Sequence, residues 1–221
     1  MKLKWFGQAC FLMTSNAGTR VLMDPFNKKL GYKVPEVEAD IVTTSHDHFD
    51  HNYIDAVKGN FYHIDQPGTY TYKDIDITGT LTYHDKYQGV KRGSNIVYTF
   101  TVDGTHICHC GDLGHLLTPV QIKGIGKVDV LLVPVGGSFA INAAEALEVR
   151  KQLNPVITIP MHYRTRALGL IGLLFAKVDK FLSAAGEPAR PVRELSLVLA
   201  TLADNAGIVI MKYEVCPLTG A

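Results

Sequence analysis

Long apolar runs are missing from this 221-residue chain. The longest, "ALGLIGLLFA" at 167–176, is about half of the ~20 residues that a helix needs to cross a bilayer. No leader is expected either, because "MKLKWFGQACF" has a short charged start but no sustained apolar stretch before a small-residue cleavage site. Net charge is scarce: 22 Lys and Arg against 21 Asp and Glu leave a formal +1. That balance gives no overall field toward nucleic acid or an anionic membrane. Cysteine is sparse as well. Cys10, Cys108, Cys110 and Cys216 form no CxxC pair and are too few to staple a chain of this size. Free thiols in a reducing compartment follow, so the expectation is a cytoplasmic protein without a membrane span. Linkers, low-complexity segments and internal repeats are lacking too.

What is present describes an ordinary globular chain, 47% hydrophobic and 19% charged. The first half reads as short strands at 2–6, 10–15, 19–23, 40–44, 75–83, 95–102 and 105–110, separated by Gly-bearing turns such as "NAG" and "ITG". "IVYTFTVDGTHICHC" is a hairpin signal, with Asp-Gly joining two β-branched runs. The second half changes character. Compact Val/Ile/Leu runs at 128–133 and 156–159 fit buried strands. Between them "NAAEALEVRKQLN" has helical spacing, with Asn142 as N-cap and Pro155 as terminator. A second helix is expected over 167–185, ended by Gly186 and Pro188, and late strands over 192–199 and 208–213. One layered α/β domain spanning 1–221 fits this order better than two small ones.

The polar chemistry falls in a pattern. Asp24 follows "TRVLM", His46 follows "DIVTTS", His84 follows "DIDITGTLTY", Asp112 follows "THICHCG" and His162 follows "VITIPM". Strand ends on one edge of a sheet converge, so these five can line one cleft. The densest stretch is "HDHFDH" at 46–51. In an extended chain His46 and His48 present both imidazoles to one ion, because side chains alternate with period two. Asp50 and His51 come after a turn and point to an adjacent position. The natural partition places His46, His48 and His84 on one metal and Asp50, His51 and His162 on a second, with the Asp112 carboxylate bridging them. Imidazole with carboxylate suits Zn²⁺, Mn²⁺, Fe²⁺ or Ni²⁺, and Zn²⁺ is the first choice.

With these motifs in order, "LMDP", "HDHFDH", His84, "HCGDLG" and "PMHY", the chain resembles the metallo-β-lactamase superfamily over nearly its whole length. The resemblance implies a four-layer αβ/βα sandwich, two mixed β-sheets inside and helices outside. It implies the same metal partition, with Asp24 orienting ligands through hydrogen bonds. "CGDLGH", "LLVPVGG" and "IPMHYRT" look like the branch of small metal-dependent hydrolases related to ascorbate phosphate lactonase. One departure is "SFAIN" at 138–142, where that pattern implies a Tyr or Phe, a Thr and then an Asp.

The expected activity is hydrolysis of a small anionic ester, lactone or phosphodiester. Two divalent ions about 3.5–4 Å apart share a water and lower its pKa from about 15.7 toward neutrality, and the resulting hydroxide attacks. Asp50 orients that hydroxide as well as ligating, and His115 is the candidate proton donor to the leaving group. Arg164 and Arg166, just after His162, are the candidate substrate-binding residues, since guanidinium binds phosphate or carboxylate bidentately. Lys86, Lys91 and Arg92 extend the basic rim after His84. The expected partner is a small molecule, with a homo-oligomer open. A nuclease of the same fold is the alternative, disfavoured by near-neutral charge and the lack of a basic insertion. A metal-binding or sensing protein without catalysis is the other.

Overall fold

The computed structural model describes residues 1–213, so Cys216 lies outside the described residues. The first strands are β1 (Lys2–Gly7), β2 (Cys10–Thr14), β3 (Arg20–Met23), β4 (Ile41–Thr43) and β5 (Tyr62–Ile64). There follow β6 (Gly68–Tyr72), β7 (Ile75–Tyr83), β8 (Ser94–Val102), β9 (Thr105–His109) and the helix α1 (Pro119–Ile125). The chain continues through β10 (Val130–Pro134), α2 (Ala143–Leu153), β11 (Ile157–Met161) and α3 (Val178–Ala185). It then forms β12 (Ala189–Val192), β13 (Glu194–Ser196) and β14 (Gly207–Met211).

These strands build two sheets, β13-β1-β2-β3-β4-β5 and β12-β14-β11-β10-β9-β8-β7-β6. Both are mixed. In the first, β3, β4 and β5 run parallel after an antiparallel β13-β1-β2-β3 run. In the second, β12-β14-β11-β10-β9 is parallel and β9-β8-β7-β6 antiparallel. The alternating side chains of the first sheet serve two apolar layers. Phe11, Met13, Val21, Met23 and Ile41 join the core between the sheets. Their neighbours Cys10, Leu22 and Val42 pack outward with Phe26, Leu30, Tyr32, Leu168 and Phe175. Helices α1 and α2 cover the second sheet, α1 against β7 and β8, and α2 against β10 and α3. This is the two-sheet sandwich with flanking helices that the sequence resemblance implies. The outer layer over the first sheet is thin, and includes 3₁₀ turns at Lys28–Leu30 and Ile171–Leu174.

Two expected elements differ. The helix expected over 167–185 is confined to its last turns: Gly169 adopts φ +53, a 3₁₀ turn spans Ile171–Leu174, and Phe175 is extended. The run "ALGLIGLLFA" has no polar face to set a helical register, and its two glycines weaken the helix. Leu168 and Phe175 instead anchor the segment in the outer layer, while Leu170 stays 85% exposed. The strand expected over 192–199 is cut at Arg193, with β12 pairing in the second sheet and β13 in the first. Helix α1 was not expected; it starts at a capping box closed by Thr118 and Gln121, with Pro119 at the first helical position. Among the described residues no helix is long and apolar enough to cross a membrane. Cys10, Cys108 and Cys110 are buried and unbridged.

Candidate metal centre

Five loops at the C-terminal ends of β3, β4, β7, β9 and β11 carry Asp24, the 46–51 cluster, His84, Asp112 and His162 to one place. Two groups form, His46 with His48 and His84, and Asp50 with His51, Asp112 and His162; within each, one ligand atom per residue lies within 4.8 Å of the others. The path through "HDH" is not the extended one expected. His48 N–H donates to the His46 carbonyl at 3.1 Å and His51 N–H to that of His48 at 2.8 Å, so a tight turn brings the rings together. The centroids of His46 and His48 are 4.6 Å apart, and of His46 and His84 also 4.6 Å.

Asp112 sits between the groups. Its Oδ2 is 3.4 Å from Nε2 of His84, 3.4 Å from Nε2 of His51 and 4.0 Å from Nε2 of His46. Its Oδ1 is 3.1 Å from Nε2 of His162. Asn95, fully buried, accepts the Asp112 N–H at 2.9 Å, and its own amide is tied to Thr82 Oγ1 and the Cys110 carbonyl.

Asp24, 0% exposed, sets the ring orientations. It accepts Ser45 N–H at 2.7 Å, Ser45 Oγ–H at 2.6 Å and His51 Nδ1–H at 2.8 Å. With its proton on Asp24, the Ser45 hydroxyl accepts from His46 Nδ1 at 2.9 Å. Both Nδ1 atoms are thereby donors, and both Nε2 atoms face inward, the arrangement that supports metal-ligating imidazole. Asp24 acts on one histidine of each group, directly on His51 and through Ser45 on His46.

The electrostatics agree. Burial alone raises the Asp24 carboxyl, but the charge and hydrogen bond of His51, with His109 and His46, hold it below the ordinary range. Asp112 is likewise raised by burial yet held well below the usual carboxylate value by His162 and His51. Burial lowers the His51 imidazole, but Asp112, Asp50 and Asp24 together push it well above its ordinary value. His46 is pushed down to about 3 by burial and then by the charge on His51. His51 thus lies among three carboxylates, whose charge a bound cation would balance.

The backbone is tight here. Asp24 and His162 adopt left-handed φ of +45 and +53, each costing about 1–3 kcal/mol for a residue with a side chain. Gly136 is required by close approach, since a Cβ there would lie 2.1 Å from the His162 carbonyl oxygen. A Cβ on Gly114 would lie 2.3 Å from the His84 backbone. Phe175 stacks edge-on against His162 at 5.0 Å and meets Phe139 at 5.5 Å, and Arg92 lies over Phe139 at 4.7 Å. Phe139, the aromatic that the pattern implies in "SFAIN", therefore supplies a wall beside Phe175. Only His48 and Asp50 of the two groups are partly open, and the exposed Phe49 stands between them in sequence.

Three expected residues are placed differently. His115 Nε2 accepts the Tyr83 N–H at 3.1 Å and its Nδ1–H donates to the Leu116 carbonyl at 2.7 Å. Both nitrogens bond to backbone, so the ring ties the loop after Asp112 to the end of β7. Arg164 and Arg166 line cavities with Trp5, Tyr163, Arg193 and Lys212 on one side and Lys177 and Asp179 on the other, and none of the seven clustered residues is on those walls. Among the other basic residues, Lys86 pairs with Glu145 and Lys91 lies over Tyr87, while Arg92 is linked to His162 through the two phenylalanines. Ser45, Asn95 and Gln8 were missed in the sequence. Their polar side chains are common in turns and strands, and nothing local marks them.

The orphaned nitrogens test whether a metal fits. His46 Nε2, His51 Nε2, His84 Nδ1, Asp112 Oδ1 and both ring nitrogens of His162 are buried with no hydrogen-bond partner. Each such group costs about 1–3 kcal/mol when left unsatisfied, and a cation taking one nitrogen per ring would satisfy His46 Nε2, His51 Nε2, one nitrogen of His162 and Asp112 Oδ1 together.

Residues 2–162 match the family described as Beta-lactamase superfamily domain. The chain is 30% identical over 195 residues to a UPF0173 metal-dependent hydrolase of Thermococcus kodakarensis, covering 75% of this chain and 85% of that one. It is 28% identical over 212 residues to another from Thermoplasma acidophilum, covering 84% and 91%. Among solved structures, a Thermotoga maritima protein assigned as a Zn-dependent hydrolase of the metallo-beta-lactamase superfamily is 40% identical with a TM-score of 0.81, over 96% of this chain and 99% of that one. The metallo hydrolase Igni18 of Ignicoccus hospitalis, 21% identical with a TM-score of 0.60 over 89% and 98%, shares the fold.

Proposed function

This chain belongs to the metallo-β-lactamase superfamily, and on that premise we propose that it is a metal-dependent hydrolase of a small anionic ester, lactone or phosphodiester. The observation that carries the proposal is the set of four buried imidazoles whose Nε2 atoms lie 3.1–4.0 Å from the Asp112 carboxylate, those of His46, His51 and His162 without a hydrogen-bond partner. Relatives named metal-dependent hydrolases support the reaction class. His46, His48 and His84 would hold one divalent ion, and Asp50, His51 and His162 a second, with Asp112 serving both. Zn²⁺ is the first candidate, and Mn²⁺, Fe²⁺ and Ni²⁺ accept the same donors.

Bound divalent ions supply Lewis acidity, polarising the attacked oxygen and acidifying a water. The chain's own residues do the rest. Asp24 and Ser45 keep His46 and His51 in the tautomer with Nε2 free. Asp50 is raised by burial but held far below the ordinary carboxylate range by His51, so it stays ionised and accepts a hydrogen bond from an attacking water. The substrate enters where His48 and Asp50 are open, with Phe139 and Phe175 excluding water from the His162 side. Arg92, poised on Phe139, is the candidate partner for the substrate's negative charge.

The test is metal content and turnover of a nitrophenyl phosphodiester, nitrophenyl esters and lactones by wild type, His48→Ala and Asp112→Asn. Two divalent ions per chain are expected, with losses of turnover in both variants beyond the ~10–100-fold typical of a residue that merely supports a ligand. A wild type that binds no metal under replete conditions, or variants as active as wild type, would sink the proposal.

A further inference from the structure

Gln8 occupies the turn between β1 and β2, where the ladder slips between Trp5 and Gly7. It is 0% exposed and its backbone is left-handed, with φ +50. The preceding Gly7 permits this path, since a Cβ there would lie 2.3 Å from the Tyr32 ring. The Gln8 carbonyl accepts the Trp5 indole N–H at 3.1 Å and the His162 N–H at 3.2 Å. Its side-chain Nε2 donates to Asp50 Oδ2 at 3.3 Å, and its Oε1 is buried with no partner. One residue of the first sheet thus touches Asp50 through its side chain and His162 through its backbone.

We propose that Gln8 is a positioning residue for the Asp50–His162 half of the site, an inference that rests on the metal-site reading above. The amide orientation is dictated by Asp50, because the reversed amide would set two acceptor oxygens against each other. Its chemical type matters as much as its place. A Lys or Arg there would neutralise Asp50 and compete with an ion, and a Glu would repel it. A neutral amide fixes the carboxylate while leaving its charge available to a cation. The strained His162 backbone is anchored by the same residue, so the distance between two ligands from different loops is set by one short turn.

The test is titration of wild type and Gln8→Met with Co²⁺, read by d–d absorption and by calorimetry. Methionine keeps the length of the side chain and lacks the donor, so a packing role alone predicts no change. The expected result is that one equivalent weakens about 10–100-fold and the other stays within a factor of two. Wild-type-like binding of both equivalents overturns the assignment of Gln8 alone. A wild type that takes up no Co²⁺ overturns the metal-site reading and Gln8 with it. Should Gln8→Met not fold, the wild type decides: the Gln8 side-chain amide resonances, followed by ¹⁵N NMR through a Zn²⁺ titration, are expected to move with one equivalent only. Resonances unmoved, or moved equally by both, overturn the proposal.

Discussion

Replacing Asp24 by Asn leaves shape and volume in place and changes only who donates to whom. The carboxylate accepts three hydrogen bonds at 2.6–2.8 Å. In Asp24→Asn the carbonyl oxygen keeps the Ser45 N–H. The new NH₂ then stands where Oδ2 was, facing the Ser45 hydroxyl and His51 Nδ1. The hydroxyl accepts from it and must send its own proton to His46 Nδ1, and His51 must also accept at Nδ1. Both histidines are driven to the Nε2–H tautomer, which places a proton on the nitrogen meant for metal. The three contacts are remade without the carboxylate charge, a cost of about 1.5–3 kcal/mol, partly offset because a charge is no longer buried. A net loss of ~2 kcal/mol corresponds to a Tm drop of ~4–8 °C for a chain of this size. Metal affinity is expected to fall about 10–100-fold at both positions, since Asp24 and Ser45 serve a histidine of each group. Calorimetry with Zn²⁺ and long-range ¹⁵N imidazole spectra are the assays. A folded Asp24→Asn that binds both ions like wild type, or whose His46 and His51 keep Nδ1–H, refutes the reasoning.

Chelation should make stability depend on alkaline pH. The raised His51 value means that its stabilising contribution is complete below the ordinary imidazole pKa of about 6.5 and is lost as pH rises through the folded value; a Tm of the chelated protein that is flat from pH 6 to 10 would contradict this, while the loaded protein should show little trend. Asp85 accepts backbone N–H groups of Tyr87, Gly89, Lys91 and Arg92, and although burial raises its carboxyl, those bonds hold it below the ordinary range. Its contribution is therefore present above the ordinary carboxylate pKa and lost as pH falls through the lowered one, and Asp85→Asn should reduce hydrogen-exchange protection of 87–92 with the rest unchanged. Gly136→Ala drives a methyl into the His162 carbonyl and should cost about 1–3 kcal/mol or more in denaturant unfolding, with weaker metal binding; an unchanged midpoint would show that the loop yields. Phe175→Ala removes the ring on His162 and should destabilise by about 3–5 kcal/mol, read in the same assay.

The sequence by itself determined the sandwich and the membership of the site. Period-two runs in the first half and Val/Ile/Leu runs in the second specify strands, because burial on one or both faces leaves a pattern along the chain. Seven side chains able to hold metal, all near strand ends, were readable because imidazole and carboxylate are rarely gathered without a use. Tertiary structure alone decided which nitrogen of each ring faces inward, since that is set by Ser45 and Asp24 across loops 21 residues apart in sequence. It alone placed Gln8 beside Asp50, tied both nitrogens of His115 to backbone, and set Arg164 and Arg166 on a cavity wall that none of the clustered residues lines. It also broke the helix expected over 167–185, because the outer layer recruits Leu168 and Phe175 on either side of two glycines. Residue type and spacing say what chemistry a chain carries. Which hydrogen bond each group makes is settled only when loops distant in sequence pack at the same edge.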